Sequence, residues 1–258
     1  MSEKSKDLEK VTCNNCADTN DLEFDFSMAF QPIINCKTNL IYGYEALARG
    51  LNGESAYSII SKVNEDNRYA FDQLCRIKAI QLASKLGITS MLSINFLPNA
   101  IYKPERCIRT TLEAAKKYNF PIQNIMFEFT EVEKIEDTTH IKRVVDYYQS
   151  LGFKTATDDF GAGYSGLNLL ADFQTDIIKL DMALIRNINN DKKRQLIVIH
   201  CLNMFRDLNI TPLAEGIETL QEYTWLKNAG VELMQGYLFA KPSFENLPKV
   251  NFEDIGAD

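Results

Sequence analysis

The fold is decided by residues 125–157, which read IMFEFTEVEKIEDTTHIKRVVDYYQSLGFKTAT. The apolar run Ile125 to Phe129 predicts a buried strand, and Thr138 to Leu151 has the apolar spacing of an amphipathic helix. Gly152 ends that helix, and Lys154 to Thr157 predicts a second strand. A strand, a helix and a strand in this order form a βαβ unit, which places the two strands side by side and parallel.

Working outward from this unit, strands and helices alternate along most of the chain. The further predicted strands are Met91 to Ile94, Ile177 to Leu180, Thr211 to Ala214 and Leu233 to Met234. The further predicted helices are Phe71 to Leu86, Pro104 to Tyr118, Lys192 to Leu208 and Leu220 to Ala229. Near the beginning, Ala29 to Ile34 and Leu40 to Leu47 predict a hairpin around a turn-rich segment. We therefore expect an α/β fold of the TIM-like (β/α) barrel type with an irregular first strand, the opening antiparallel hairpin.

Composition narrows the functions that this chain can have. The 258 residues are 45% hydrophobic, carry a formal net charge of −7 and have a pI near 5.1. This acidity argues against a nucleic-acid partner or a membrane surface, which both require clustered Lys and Arg. Residues 1–25 are polar and predict a flexible extension before a domain at 26–258, with neither a signal peptide nor a transmembrane run, so we expect a cytoplasmic protein.

The cysteines are scattered, and Cys13 and Cys16 are the one close pair among them. A structural zinc site takes four ligands, and no second CxxC or CxxH follows this pair. Two interpretations stay open at this point: an ordinary polar tail, which we favour, and a metal site.

Polar side chains follow the predicted strands at the point where each strand ends. They are Glu45, Asn95, Glu128, Asp158, Asp159, Lys179, Glu215 and Gln235. In a parallel barrel the carboxyl ends of the strands share one rim, where active sites are built. One acid after a strand is usually a helix cap or a solvated loop residue, but eight polar residues from seven strands predict a site.

Five carboxylates at one rim repel one another and need compensating cations. Carboxylates together with the amide oxygen of Asn95 select hard ions such as Mg²⁺ or Mn²⁺ over Zn²⁺. The two histidines, His140 and His200, fall in predicted helices away from the set. The sequence thus predicts a Mg²⁺ or Mn²⁺ centre.

Seven short motifs follow one another along the chain. They are Glu45-Ala46-Leu47-Ala48-Arg49, Ser93-Ile94-Asn95, Phe127-Glu128-Phe129-Thr130-Glu131, Thr157-Asp158-Asp159-Phe160-Gly161, Lys179-Leu180-Asp181, Ala214-Glu215-Gly216-Ile217-Glu218 and Gln235-Gly236-Tyr237. Between about Met28 and Pro242 the chain resembles the EAL phosphodiesterases, bacterial enzymes that hydrolyse cyclic di-GMP to linear pGpG. The resemblance implies a cytoplasmic homodimer with two metal ions per site.

The resemblance also implies a role for each residue. One ion is held by Glu45, Asn95, Glu128 and Asp158, and the second by Asp158, Asp159 and Glu215. The implied catalytic residues are Lys179, Glu215 and Glu45, where Lys179 either orients or deprotonates the attacking water or neutralises carboxylates. The implied substrate-binding residues are Arg49, Gln31, Leu47 and Gln235. Glu131 and Glu218 are expected to support loops.

Three other interpretations compete with this one. The first is a catalytically weak EAL domain that acts as a cyclic di-GMP receptor or protein adaptor, although no implied ligand is missing. The second is an NAD-binding fingerprint, because Gly161, Gly163 and Gly166 follow a strand and Asp181 comes about 20 residues later. It leaves the other carboxylates without a purpose. The third is an ordinary barrel with solvated rim acids.

Overall fold

The structure, a computed structural model, describes residues 22–101, 103–130, 138–162, 166–250, 252 and 255. Cys13, Cys16 and Glu131 lie outside the described residues. Of the predicted N-terminal extension only residues 22–25 are described, and there Phe24 packs against Phe71 with the ring centroids 6.2 Å apart. The domain boundary at residue 26 stays a prediction.

In the part of the chain that the structure describes, nine strands form one sheet. They are β1 (Ser27–Asn35), β2 (Leu40–Arg49), β3 (Met91–Asn95), β4 (Ile125–Thr130), β5 (Lys154–Phe160), β6 (Ile177–Leu180), β7 (Thr211–Ala214), β8 (Leu233–Met234) and β9 (Ser243–Phe244). Strands β2 to β8 pair with one another in sequence order and in parallel. Strand β1 pairs antiparallel with both β2 and β8 and so closes the sheet. The predicted barrel with an antiparallel opening hairpin is confirmed.

Helices surround this barrel. They are α1 (Ala56–Ile60), α2 (Arg68–Lys85), α3 (Pro104–Cys107), α4 (Arg109–Lys117), α5 (Thr138–Ser150), α6 (Gly166–Asp172), α7 (Met182–Ile185), α8 (Lys192–Asp207) and α9 (Leu220–Asn228). The prediction of one continuous helix from Pro104 to Tyr118 was wrong, because a one-residue turn at Ile108 separates α3 from α4. Among the described helices, none combines the length and the apolar composition that a bilayer crossing requires.

The barrel interior is filled by one layer of apolar side chains from six strands. They are Ile33, Met126, Ala156, Ile177, Leu213 and Leu233. Five of these residues lie two positions before Glu128, Asp158, Lys179, Glu215 and Gln235 respectively. Side chains two residues apart on a strand share a face, so the apolar layer supports a polar layer directly above it. The β-strand period therefore aims the polar residues into the mouth of the barrel.

Candidate active site

Lys179 is the centre of the polar layer. It lies on β6, and its side chain is 1% exposed. Its ammonium nitrogen lies 2.5 Å from Glu215 Oε1, 2.6 Å from Glu128 Oε2, 3.0 Å from Asp158 Oδ1 and 3.8 Å from Glu45 Oε1. One buried cation thus contacts four carboxylates, which leaves the cluster with an excess of negative charge.

A β-bulge brings both aspartates to the rim. On β5, Asp158 and Asp159 lie between Thr157 and Phe160, which pair with Ile178 and Leu180. Two residues of β5 therefore face the single residue Lys179 of β6, and Asp159 has a φ of +56°. Consecutive residues of a regular strand point to opposite faces, and a bulge re-aims a side chain. The predicted end of this strand at Thr157 was wrong because the bulge lets pairing resume at Phe160.

Neutral side chains hold two of the glutamates. Glu45 accepts hydrogen bonds from Asn95 Nδ2 at 2.9 Å and from Gln235 Nε2 at 2.8 Å. Glu128 accepts a hydrogen bond from the hydroxyl of Ser93. Gln235 Oε1 is buried and has no hydrogen-bond partner among the described residues. That oxygen is consequently free to accept a hydrogen bond from a ligand or a water.

Burial and the excess of carboxylates together make the site hold protons tightly. Burial raises the pKa of Glu128 to about 8, with Lys179 opposing the shift and Glu45 and Asp158 adding to it. Burial also raises the pKa of Glu215 well above its ordinary value. Burial alone would lower the pKa of Lys179, but the surrounding carboxylates raise it well above its ordinary value. Burial is the main cause of the raised pKa of the two glutamates, and the excess of carboxylates over cations is the cause of the raised pKa of Lys179.

Divalent cations would compensate the excess of carboxylates in this site. Oxygens of Asp158, Asp159 and Glu215 lie within 4.8 Å of one another, close enough for one ion to bind all three. Glu45, Glu128 and Asn95 offer further oxygens beside them, and an all-oxygen donor set suits Mg²⁺ or Mn²⁺. The third interpretation, solvated rim acids, does not describe Glu128 and Glu45, which are 0% and 6% exposed.

The polar layer opens into a cleft of about 240 Å³. Nine of the residues predicted for the site line it, namely Gln31, Glu45, Leu47, Asp158, Asp159, Lys179, Glu215, Glu218 and Gln235. Asn95 and Glu128 lie beside it, in contact with Glu45 and Lys179. Arg49 is not a lining residue, and its guanidinium donates to the carbonyl of Ala48 at 2.7 Å.

Several lining residues received no site role from the sequence, although Asp181 and Tyr237 belong to the quoted motifs. Asp181 caps α7 by accepting from the backbone N–H of Ala183 at 2.7 Å, and Met182 and Tyr237 flank the mouth of the cleft. Near Glu218, the buried Glu222 accepts from the backbone N–H groups of residues 187, 218 and 219. The spacing of Thr219 and Glu222 is that of a capping box, a signal that could have found Glu222.

The sequence of this chain matches that of a known protein family. The profile of one family, described as EAL domain, matches residues 20–242. The antirepressor BluF of Escherichia coli (strain K12), regulated by blue light and temperature, is 30% identical over 86% of this chain and 55% of its own length. The probable cyclic di-GMP phosphodiesterase PdeG of the same organism is 29% identical over 83% of this chain and 44% of its own length. The chain thus spans about half the length of these curated relatives.

Solved structures agree with the sequence comparison. A standalone versatile EAL protein from Vibrio cholerae O395, in its c-di-GMP bound form, is 73% identical with a TM-score of 0.88, covering 91% of this chain and 99% of that one. Klebsiella pneumoniae BlrP1, in a manganese/cy-diGMP complex at pH 9.0, is 34% identical with a TM-score of 0.82, covering 87% of this chain and 58% of that one. The NAD interpretation fails, because the sheet closes into a barrel instead of the open doubly wound sheet of dinucleotide-binding domains.

Proposed function

The chain belongs to the EAL domain family, and we propose that it is a metal-dependent phosphodiesterase that hydrolyses cyclic di-GMP to linear pGpG. One observation carries the proposal above the others. Lys179 is surrounded by four carboxylates at 2.5 to 3.8 Å inside a barrel mouth, with more negative charge than the protein itself neutralises. Bound cations would compensate the charge of this cluster and would also attract an anionic substrate.

The proposed ligands divide into two sets that share Asp158. Glu45, Asn95, Glu128 and Asp158 would hold one Mg²⁺ or Mn²⁺ ion, and Asp158, Asp159 and Glu215 would hold the other. When bound, such ions lower the pKa of a water and stabilise negative charge on a phosphoryl oxygen. The BlrP1 complex with manganese and cyclic di-GMP supports this choice of ion, and a calcium complex of BlrP1 is consistent with oxygen ligands.

Lys179 acts as a hydrogen-bond donor in the proposed mechanism. The four carboxylates keep it in the ammonium form, in which it orients the attacking water. It becomes a general base only where bound cations take over its partners and lower its pKa. Glu45 and Glu215 lie 3.8 and 2.5 Å from its nitrogen, where their carboxylates would accept hydrogen bonds from the same water.

The cleft supplies the proposed contacts to the substrate. Gln31 and Leu47 lie on the two strands of the opening hairpin and line one wall of the cleft. Gln235 offers its Oε1, which has no hydrogen-bond partner within the described ranges. Arg49 would leave the carbonyl of Ala48 and grip a phosphate oxygen with its forked guanidinium. The Vibrio relative with bound c-di-GMP supports a dinucleotide of this class as the occupant.

The remaining parts of the proposal concern the whole protein. Glu218 supports the loop after β7 through its ion pair with Arg186 at 2.6 Å, and Glu131 is proposed to support the loop after β4. We further propose a cytoplasmic homodimer in which residues 26–258 form the enzyme domain and residues 1–25 an extension. Neither nucleic acid nor membrane is a proposed partner.

A second candidate function is a receptor or adaptor that binds cyclic di-GMP without hydrolysing it. The observation that favours it is the similarity to the antirepressor BluF. The two candidates share the cleft and differ in whether the bound phosphodiester is cleaved.

The deciding experiment is hydrolysis of cyclic di-GMP by the purified chain with Mg²⁺, with Mn²⁺ and with EDTA, with products separated by chromatography. We expect pGpG with either ion and none with EDTA. Glu45→Ala removes a ligand of the proposed site and should lower kcat by about 10³-fold, the loss that removal of a catalytic group commonly causes.

The matched control for Glu45→Ala is Glu232→Ala, which removes an exposed glutamate paired with Lys37 and should leave kcat unchanged. Intact cyclic di-GMP that binds tightly without turnover would favour the receptor. Equal activity of the Glu45→Ala variant and the wild type would refute the proposed site.

A further inference from the structure

A second buried charge pair lies behind the wall of the barrel. Asp72 and Arg76 are one turn apart on α2, and both side chains are fully buried. Arg76 Nη2 lies 2.9 Å from Asp72 Oδ2. The proposed hydrolysis uses neither residue.

Asp72 contacts the backbone that carries Asn95. Its Oδ1 accepts a hydrogen bond from the N–H of Leu97 at 3.0 Å, two residues beyond Asn95. Between them, the N–H of Phe96 donates to the carbonyl of Glu128 at 2.9 Å. The carboxylate of Asp72 is therefore connected through two backbone hydrogen bonds to the ends of both β3 and β4.

Arg76 contacts the side chains next to the same two proposed ligands. Its guanidinium lies 5.7 Å from the ring centre of Phe96 and 4.9 Å from that of Phe127. Phe96 follows Asn95 and Phe127 precedes Glu128 in the sequence. The guanidinium also donates to the hydroxyl of Tyr148 on α5 at 3.0 Å. The planar group is consequently fixed against both strands from behind.

Stability alone is a weak reason for such a pair. Replacing a buried ion pair by apolar side chains of similar size is often neutral or stabilising, because desolvation offsets the attraction. What a buried pair supplies is a defined geometry, since each partner has one arrangement that satisfies it. Residues that contact the ligands of a metal site from behind fix the orientation of those ligands through such defined geometry.

We infer that the Asp72–Arg76 pair is a positioning device that holds Asn95 and Glu128 at the spacing required by a divalent cation. This inference rests on the proposed function, because it assigns those two residues as ligands. Asp72 sets the path of the backbone after Asn95, and Arg76 sets the positions of the two aromatic side chains that flank the ligands.

The test is the affinity for Mn²⁺, measured on metal-stripped protein by the electron paramagnetic resonance signal of free Mn²⁺. Asp72→Leu combined with Arg76→Met removes both charges together and should raise the Kd for Mn²⁺ by about 10-fold or more, as changes behind metal ligands do. Arg76→Lys keeps the buried charge but loses the planar contact with the rings, and should raise the Kd severalfold. The KM for cyclic di-GMP at saturating Mn²⁺ should stay as in the wild type.

The matched control is Ile80→Ala, a buried position one turn further along α2 that should lower stability without changing the Kd. Folded variants that bind Mn²⁺ as the wild type does would overturn the inference, and so would an equal rise of Kd in Ile80→Ala. If the double variant does not fold, Arg76→Lys decides alone. A wild type that binds no Mn²⁺ would overturn the proposed function and this inference with it, whereas a wild type that binds and hydrolyses leaves only the variants to decide.

Discussion

Among the described residues, Arg76 and Lys179 are cationic side chains that are almost fully buried, and their surroundings differ. Arg76 has one carboxylate, one tyrosine hydroxyl and three aromatic rings as neighbours. Lys179 has four carboxylates and no ring among its described neighbours. The first group has one carboxylate for one cation, and the second has four carboxylates for one cation. A cluster with balanced charge needs no further ion, whereas a cluster with an excess of carboxylates is compensated by something that the chain does not encode.

The largest expected difference between the two clusters concerns stability with and without metal. Lys179→Met and Arg76→Met each strand buried carboxylates, so each should lower the free energy of unfolding of the metal-free protein by about 3–5 kcal/mol. Mn²⁺ should reduce the difference in free energy of unfolding between Lys179→Met and the wild type. In the variant, the carboxylates bind the ion without competition from an ammonium group. Mn²⁺ should not reduce the corresponding difference between Arg76→Met and the wild type. Urea unfolding with EDTA and with Mn²⁺ measures both differences.

Each possible result of that comparison is informative. If Mn²⁺ reduces the loss of unfolding free energy equally in both variants, the two clusters do not differ in their response to a cation. If Mn²⁺ reduces that loss in neither variant, the carboxylates around Lys179 do not bind the ion.

The contrast also explains how much of the molecule could be predicted. Strands β6 and β7 have the predicted bounds because buried strands of a parallel barrel are rich in apolar residues, here Ile177, Ile178 and Leu180 in β6 and Leu213 and Ala214 in β7. The rim residues could be located because the carboxyl ends of such strands converge. The bulge at Asp159 could not be predicted, since two aspartates after a strand look like the start of a loop. Strand β9 has two residues, which is too short for any periodicity.

The Asp72–Arg76 pair was missed for a physical reason. An acid and a base four residues apart on a helix are the usual pattern of a solvent-exposed ion pair. Only the tertiary structure shows that this face of α2 packs against Phe96 and Phe127. A helix with apolar residues on most sides gives no sequence signal that separates a buried pair from an exposed one.

The next prediction is a difference in pH dependence. The pKa of Glu128 rises from 4.5 to about 8 on folding, so the folded protein retains a proton that the unfolded chain releases. This stability is complete below pH 4.5 and is lost as the pH rises toward 8, by about 1.4 kcal/mol per pH unit for one proton. Arg76, whose pKa is raised further, does not titrate there. Unfolding in EDTA between pH 5.5 and 8 should show this slope.

Two controls sharpen the pH experiment. In Glu128→Gln, the free energy of unfolding should lose the part of its pH dependence that comes from Glu128. The part that comes from Glu215, whose pKa is also raised, should remain. Saturating Mn²⁺ should reverse the trend in the wild type, because the ion binds deprotonated ligands. A metal-free wild type whose stability is flat over this range would contradict the raised pKa of Glu128.

The smallest expected effect belongs to the balanced cluster. Tyr148→Phe removes the hydroxyl that accepts a hydrogen bond from Arg76 and should lower the free energy of unfolding by about 1.5 kcal/mol, the low end for a bond to a charged group, because Asp72 and the rings remain. The pKa of Tyr148 is raised to about 12 by burial, so the loss should be equal at pH 5.5 and 8. Tyr57→Phe, at an 82% exposed tyrosine, is the matched control and should change stability by less than about 0.5 kcal/mol. A loss at Tyr148 that varied with pH as Glu128 titrates would mean that the two clusters are electrostatically coupled through Phe127, and the division between a complete and an incomplete charge cluster would have to be abandoned.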